Sequence, residues 1–384
     1  MKSRKIYDEY ADKLYRVTNK YFCKGMSEDE VSNLFSKLLS ILPNKGKLYK
    51  YKALETFRID ELEKKYVWFS YPKSFNDNKD CAFNTDILKE TKELTKFVLK
   101  DDNYRKILTY NLYLELSKNK VRISLEMLKS CVESVANSVD SIGNLKFKKF
   151  CKEHKIPREM QKRINDTLTL LKSGSMGEKY VRDCVKTLRE KTEKIRNCLL
   201  VSSLTTSYKK DSMWAYYAKN KGICIEYDFT KIKSSVDKAI FVATQKVRYG
   251  SKKKFSYIDI IKAQLENTEE SLAYADKLIM EQYLTKDKSW STEEEWRVIL
   301  NDSKKAKEHS QPEEVEGRSQ PIDMISAIYL DYSILNEERT QRIIQLAKEN
   351  GWGVYVRYYS QLEAEYRYDT LERTQELIKE IGQN

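Results

Sequence analysis

Residues 290–300 read WSTEEEWRVIL, and the alternation of this stretch decides the fold. In an extended strand successive side chains point to opposite faces, so Glu293, Glu295 and Arg297 are expected on one face and Trp296 and Val298 on the other. The apolar face anchors such a strand on a core, which leaves the charged face to line a cleft. Two carboxylates ~7 Å apart beside a guanidinium order one another and can hold a hydroxylated, charged ligand. Trp290 and Trp296 bracket these charges with ring surface. The competing reading is an exposed strand whose ion pair is worth little.

Working outward, further short runs rich in aromatic and branched residues are expected to be strands: LYKYKAL (48–54), YVWFSYP (66–72), CLLVSSLT (198–205), GICIEYDF (222–229), KAIFVATQKVRYG (238–250), ISAIYLDY (325–332) and GVYVRYYS (353–360). Helices are expected over 3–42 as a pair, over Ile258 to Tyr283, and near 336–349. The second of the pair opens on a capping box, Ser27 three residues before Glu30. Residues 302–320 read as a polar loop. From about 86 to 197, Leu, Ile and Val recur at three- and four-residue spacing among Lys and Glu, which predicts helices throughout. The fold class is therefore α+β, a mixed or antiparallel split-sheet core with a large helical insertion. Its divisions are N-terminal helices at 1–45, the core at 46–85 and 198–375, the basic insertion at 86–197, and a tail at 376–384.

Composition narrows the chemistry. The 384 residues are 34% charged and 40% hydrophobic with 11 Gly and 5 Pro, which excludes collagen-like and Pro/Gly-rich disordered chains. The first residues carry a charge every few positions with no apolar leader, and no stretch approaches a membrane-spanning run of roughly 18 apolar residues. A cytoplasmic protein with no membrane partner is expected. The seven cysteines are scattered without a C-x-x-C, and the two histidines, His154 and His309, lie far apart in polar stretches. A zinc site is poorly supplied, and no metal is expected.

The net charge of +13 is concentrated: residues 88–200 hold 26 Lys and Arg against 15 Asp and Glu. Such a local excess points either to a phosphate-bearing partner, nucleic acid, or to a solvated helical face. Its densest run carries Lys146, Lys148, Lys149 and Lys152 with interleaved Phe147 and Phe150, the candidate nucleic-acid contacts.

Four ordered segments carry a resemblance. They are Leu48-Tyr49-Lys50-Tyr51; Val67-Trp68-Phe69-Ser70 with Pro72, Phe75-Asn76-Asp77 and Asp80; Met213-Trp214-Ala215-Tyr216-Tyr217-Ala218 leading into Lys221-Gly222; and Lys286, Trp290, Glu293, Glu295, Trp296, Arg297. Together they resemble the bacterial family known as domain of unknown function 2971. The core is also similar, in outline, to ADP-ribosyltransferases, which combine an early-strand residue, a Ser/Thr-rich second strand and a late Glu-x-Glu. That resemblance implies NAD as the cofactor-substrate and Glu295 as the carboxylate that stabilises an oxocarbenium-like ribose. It further implies Glu293 orienting the acceptor, Ser203 or Thr205 holding Glu295, and Lys50 or Tyr51 at the pyrophosphate. Trp214 and Tyr217, three apart on a short helix, are either core or a platform for an adenine or nicotinamide ring. The expected function is an ADP-ribosyltransferase-like effector, of the toxin or anti-phage type, acting on nucleic acid or an associated protein. Two rivals stand beside it: a non-enzymatic nucleotide or nucleic-acid sensor, and a metal-dependent nuclease drawing on Asp77, Asp80, Glu226, Glu293 and Glu295.

Overall fold

The computed structural model describes residues 2–17, 25–55, 59–77, 79–99, 103–136, 140–173, 186–187, 189–190, 193–194, 196–302 and 317–382. Two compact units divide the chain: Met1–Phe83 with Lys194–Lys253 and Asp276–Asn384, and Asn84–Glu193 with Lys254–Ala275. The first is α+β and the second helical. Residues 254–275, which the sequence pattern places with the core, thus group with the helical unit.

The α+β unit contains the strands β1 (Lys47–Ala53), β2 (Tyr66–Ser70), β3 (Leu199–Leu204), β4 (Gly222–Asp228), β5 (Thr244–Lys246), β6 (Arg248–Tyr249), β7 (Thr285–Lys286), β8 (Trp296–Asn301), β9 (Gly317–Pro321), β10 (Ile325–Asp331), β11 (Gly353–Ser360) and β12 (Glu365–Thr370). Ten of them form two five-stranded sheets, ordered β1-β4-β10-β11-β12 and β5-β8-β3-β2-β9. The first sheet is mixed, with β10 and β11 parallel and the other neighbours antiparallel. The second is antiparallel throughout.

Among the described residues a single isolated backbone bridge joins the two sheets. Tyr49 and Thr205 exchange both backbone bonds, 2.9 and 2.8 Å long, so β1 and the end of β3 touch and then diverge. Alternation drives the rest. Val67, Phe69, Val298, Ile223 and Ile225 are fully buried in one apolar core, each worth roughly 1.5–3 kcal/mol over exposure. The N-terminal helices Lys2–Val17 and Glu28–Ile41 add Tyr10, Leu14, Leu34, Phe35 and Leu38 to that core. The capping box at Ser27 forms as its spacing predicts, with Ser27 Oγ accepting from Glu30 N and Glu30 accepting from Ser27 N.

Several local expectations give way. Residues 235–241 are a helix and only Thr244–Lys246 and Arg248–Tyr249 are strands, because Ser234 caps the helix by accepting from Asp237 N. The helix expected over 258–283 is two, Tyr257–Glu266 and Glu269–Tyr283, broken where Asn267 turns left-handed at φ 52°. The polar stretch 302–320 ends in β9, which pairs with β2; residues 303–316 lie outside the described ones. The C-terminal segment is helical over Leu371–Gly382.

The helical unit holds Ile87–Leu99, Asn103–Lys118, Leu125–Ala136, Asp140–Glu153, Arg158–Ser173 and Tyr257–Glu266. Leu112, Leu116, Leu128, Val132, Phe147, Cys151 and Ile164 fill its own core. Among the described residues no helix is long and apolar enough to cross a membrane.

Candidate functional site

Where β1 parts from β3, the α+β unit opens a cleft of about 190 Å³. Lys50, Tyr51, Ser203, Thr205, Tyr217, Glu293 and Glu295 line it, so seven residues singled out in the sequence converge on one space. Asp80, Lys286, Asn76, Ser70 and Tyr49 add to its polar lining.

Glu293 and Glu295 reach the cleft by a different route from strand alternation. Lys288–Glu293 is a 3₁₀ helix, opened by Asp287 accepting from Ser289 N and closed by Glu294 in a left-handed conformation at φ 45°, ψ 50°. The strand begins only at Trp296. With no apolar residue alternating through Ser291-Thr292-Glu293-Glu294, nothing holds that segment extended against a core. The left-handed corner, uncommon for a residue with a Cβ, is secured by its own side chain: Glu294 accepts from Lys210 Nζ at 2.8 Å and from Thr206 Oγ1. Lys210 Nζ also donates to Glu293 O at 3.1 Å, as does Thr205 Oγ1, and Glu295 N donates to Tyr249 OH at 2.7 Å.

Behind the two glutamates lies a closed charge network. Arg297 is fully buried and forks twice: Nε and Nη2 donate to the two oxygens of Glu295 at 2.7 and 3.0 Å, while Nη1 and Nη2 donate to those of Asp80 at 2.9 and 2.6 Å. Lys286 Nζ donates to Glu293 at 2.7 Å and to Glu295 at 3.5 Å, and its charge sits 4.6 Å from the Trp290 ring centre. Tyr217 OH donates to the other oxygen of Glu293. Burial opposes ionisation of Glu295 and Asp80, yet Arg297, with Lys286, outweighs it and holds both carboxyls below their usual range. Burial likewise opposes the Lys286 charge, and Glu295, Glu293 and Asp80 together raise its pKa. Three acidic side chains, Asp80, Glu293 and Glu295, thus share two basic ones, Lys286 and Arg297.

Other singled-out residues have different surroundings. Trp214 is fully buried in the tyrosine-rich cluster beside the cleft, edge-on to Tyr51, with Nε1 donating to Tyr208 O at 2.8 Å; it presents no face for a ligand ring. Trp290 is half-buried over Lys286 and outside the cleft lining. Thr205 holds the backbone of Glu293 rather than the carboxylate of Glu295, and Ser203 faces the cleft opposite Arg297 in register. Glu226 belongs to the other sheet, accepting from Lys47, Ser326 and Tyr329. Lys50 Nζ donates to Ser202 Oγ at 2.8 Å and Trp68 O at 3.1 Å. Among the described residues no three His, Cys, Asp or Glu side chains gather as a metal site. The carboxylates drawn together here are bridged by Lys286 and Arg297 instead.

Asp80 and Lys286 were visible as members of motifs but carry no local signature of a site, since Asp80 meets Arg297 across 217 positions of sequence. Phe75 and Asn76, from the second segment of the resemblance, also line the cleft. Gly222 positions β4 against β1: a Cβ there would fall 2.3 Å from Lys52 O and 2.6 Å from Ala218 O, so only glycine fits.

Residues 213–298 match the model of a protein family of unknown function, DUF2971. The DUF2971 segment contributes Tyr217, Lys286, Glu293, Glu295 and Arg297, whereas Lys50, Asp80 and Ser203 come from outside it. No curated protein and no solved structure matches the chain.

In the helical unit, Lys146, Lys148, Lys149 and Lys152 are exposed along Asp140–Glu153, with Lys149 3.9 Å from Glu153. Phe147 between them points into that unit's core and Phe150 packs on its margin, so neither ring stands free to stack on a base.

Proposed function

We propose that the cleft belongs to an NAD-dependent ADP-ribosyltransferase-like enzyme. The observation that carries this reading is the pair of buried glutamates, Glu293 and Glu295, fixed at the cleft wall by Lys286, Arg297 and Tyr217. Nicotinamide in NAD is cationic, and breaking its bond to ribose moves positive charge onto the sugar. A carboxylate held rigidly in a low-dielectric wall stabilises that charge with no reorganisation at the moment of reaction. Arg297 fixes Glu295 through two bonds, leaving its remaining lone pairs for ribose hydroxyls. Glu293, fixed from both sides by Tyr217 and Lys286, stands beside it to orient an acceptor. Tyr51 and Tyr217 supply ring surface.

The exposed lysines at 146–152 support nucleic acid as acceptor or anchor, and an effector acting on nucleic acid in defence or as a toxin is the corresponding biological reading. A second reading is a nucleotide sensor without turnover. It is favoured by the mutual satisfaction of every charge in the network, which suits recognition as well as reaction.

The test is incubation of purified protein with nicotinamide-labelled NAD, with and without DNA, RNA and protein acceptors and with and without Mg²⁺. Release of nicotinamide supports the enzyme. Thermal stabilisation by NAD without release supports the sensor, and neither effect removes NAD from the cleft.

A further inference from the structure

Lys50 has an environment unlike that of a phosphate-binding lysine. Its Nζ makes two hydrogen bonds, to Ser202 Oγ at 2.8 Å and to Trp68 O at 3.1 Å, and forms no ion pair among the described residues. Ser202 is fully buried on β3, and Trp68 O belongs to β2, so both acceptors are fixed by the second sheet. A neutral amine has two N–H bonds and one lone pair; a protonated one has three N–H bonds and none. Two acceptors satisfy the neutral form completely, and among the described residues no carboxylate lies within ion-pair distance of Nζ to favour the third proton of the charged form. The hydrogen-bond count therefore matches an amine whose lone pair is free, on a residue that lines the cleft.

Charged neighbours agree with this count. Burial, then repulsion from Lys52 on the same strand, pushes the Lys50 amine down to about 7, against the pull of Glu61 and Glu295. Lys52 spends its own charge on Glu61, which weakens Glu61 as a partner for Lys50, and Glu295 is already forked by Arg297.

We infer that Lys50 is a nucleophilic amine of the cleft, which condenses with the carbonyl carbon of a small hydroxylated aldehyde or ketone, such as an open-chain sugar. The lone pair of Nζ bonds to the carbonyl carbon, the C–O bond breaks, and the carbonyl oxygen leaves as water with the two hydrogens that the amine carried. The product is an imine between Nζ and the former carbonyl carbon; no oxidant or reductant is consumed. The polar wall of Glu293, Glu295 and Lys286 provides donors and acceptors for the hydroxyls of such a ligand. This chemistry does not require NAD to be the ligand, so it stands or falls separately from ribosyl transfer.

The experiment uses the full chain with D-ribose 5-phosphate and sodium cyanoborohydride at pH 7, followed by peptide mapping of the reduced adducts. The expected result is a dominant adduct at Lys50, formed on the order of 10²-fold faster than at the average exposed lysine, whose neutral fraction at pH 7 is far smaller. The labelling rate at Lys50 should rise to half its maximum near pH 7, while surface sites keep gaining above pH 9. Because the map is read on the wild-type chain, no variant has to fold. Lys50→Arg, which keeps length and adds a fixed charge, should lose this adduct and leave the others unchanged. Labelling spread evenly over surface lysines, or absent from Lys50, would overturn the proposal. Lys50 labelling in a protein that releases no nicotinamide from NAD would uphold it while removing the ribosyltransferase reading.

Discussion

The charges of the cleft and those of the helical unit are governed by opposite physics. At the cleft, Asp80, Lys286, Glu293, Glu295 and Arg297 are nearly removed from water, and each is held by two or more directed bonds. Along Asp140–Glu153, Lys148, Lys149 and Lys152 project into solvent, and Lys149 reaches Glu153 only at 3.9 Å. Buried charges are costly to desolvate and fixed in direction, so their arrangement specifies a chemistry. Exposed charges are cheap and interchangeable, so their number rather than their geometry sets what they attract. Substitutions should therefore have effects that differ in kind between the two places.

The largest effect is expected from Arg297→Leu. It strands Glu295 and Asp80 as buried, poorly compensated carboxylates, and should destabilise the fold by about 3–5 kcal/mol in urea unfolding. A loss below about 1 kcal/mol would show the network to be wetter and looser than its bonds imply. Next comes Glu295→Gln, which removes one carboxylate charge while keeping shape. If NAD is the substrate, turnover should fall roughly 10²–10³-fold with the protein still folded; unchanged turnover in a folded variant takes Glu295 out of the chemistry.

A third variant separates burial from pairing. The Oδ2 of Asp276 is buried without a hydrogen-bond partner, and burial raises its pKa to about 7. An acid raised above its unfolded value of about 3.9 keeps its proton in the folded state longer than in the unfolded one. Stability is therefore lost as pH rises between those values, and the penalty is complete above 7. Asp276→Asn should stabilise the protein by about 1–2 kcal/mol at pH 8, allowing for residual exposure, with a much smaller gain at pH 5. Equal gains at both pH values would show that the carboxyl is ionised throughout.

The smallest effect on stability belongs to changing Lys146, Lys148, Lys149 and Lys152 together to Ala, within about 0.5 kcal/mol per site. If these lysines meet phosphate, duplex-DNA affinity should drop for all sequences, and the salt slope should flatten by about 0.9 for each lost contact. An unchanged slope in a filter-binding series would leave them as a solvated face.

The sequence made this contrast partly legible. Period-two and helical spacing revealed most strands, the α+β class and the helical block, because burial imprints its period locally. The carboxylate pair was found through an extended-strand argument that the structure replaces with a 3₁₀ turn and a left-handed Glu294. The residues still converge, since either backbone path delivers positions 293 and 295 to the same wall. The pairing of Asp80 with Arg297 could not be read from one sequence: a polar residue between elements has no periodicity, and its partner lies 217 residues away. Trp214 shows the reverse difficulty, for an aromatic at helical spacing is the same signal in a core as in a binding platform, and only burial separates them.

The bridge between Tyr49 and Thr205 has a consequence for how the cleft breathes. Two reciprocal amide bonds hold the sheets together at the point where they part, flanked by strands secured over many residues. Separating them locally breaks far fewer contacts than unfolding either sheet, so the amide protons of Tyr49 and Thr205 should exchange with solvent deuterium through opening events that leave neighbouring strand amides protected. Those two protons are a built-in gauge of the cleft, one that an occupant spanning β1 and β3 would slow without touching either residue's side chain.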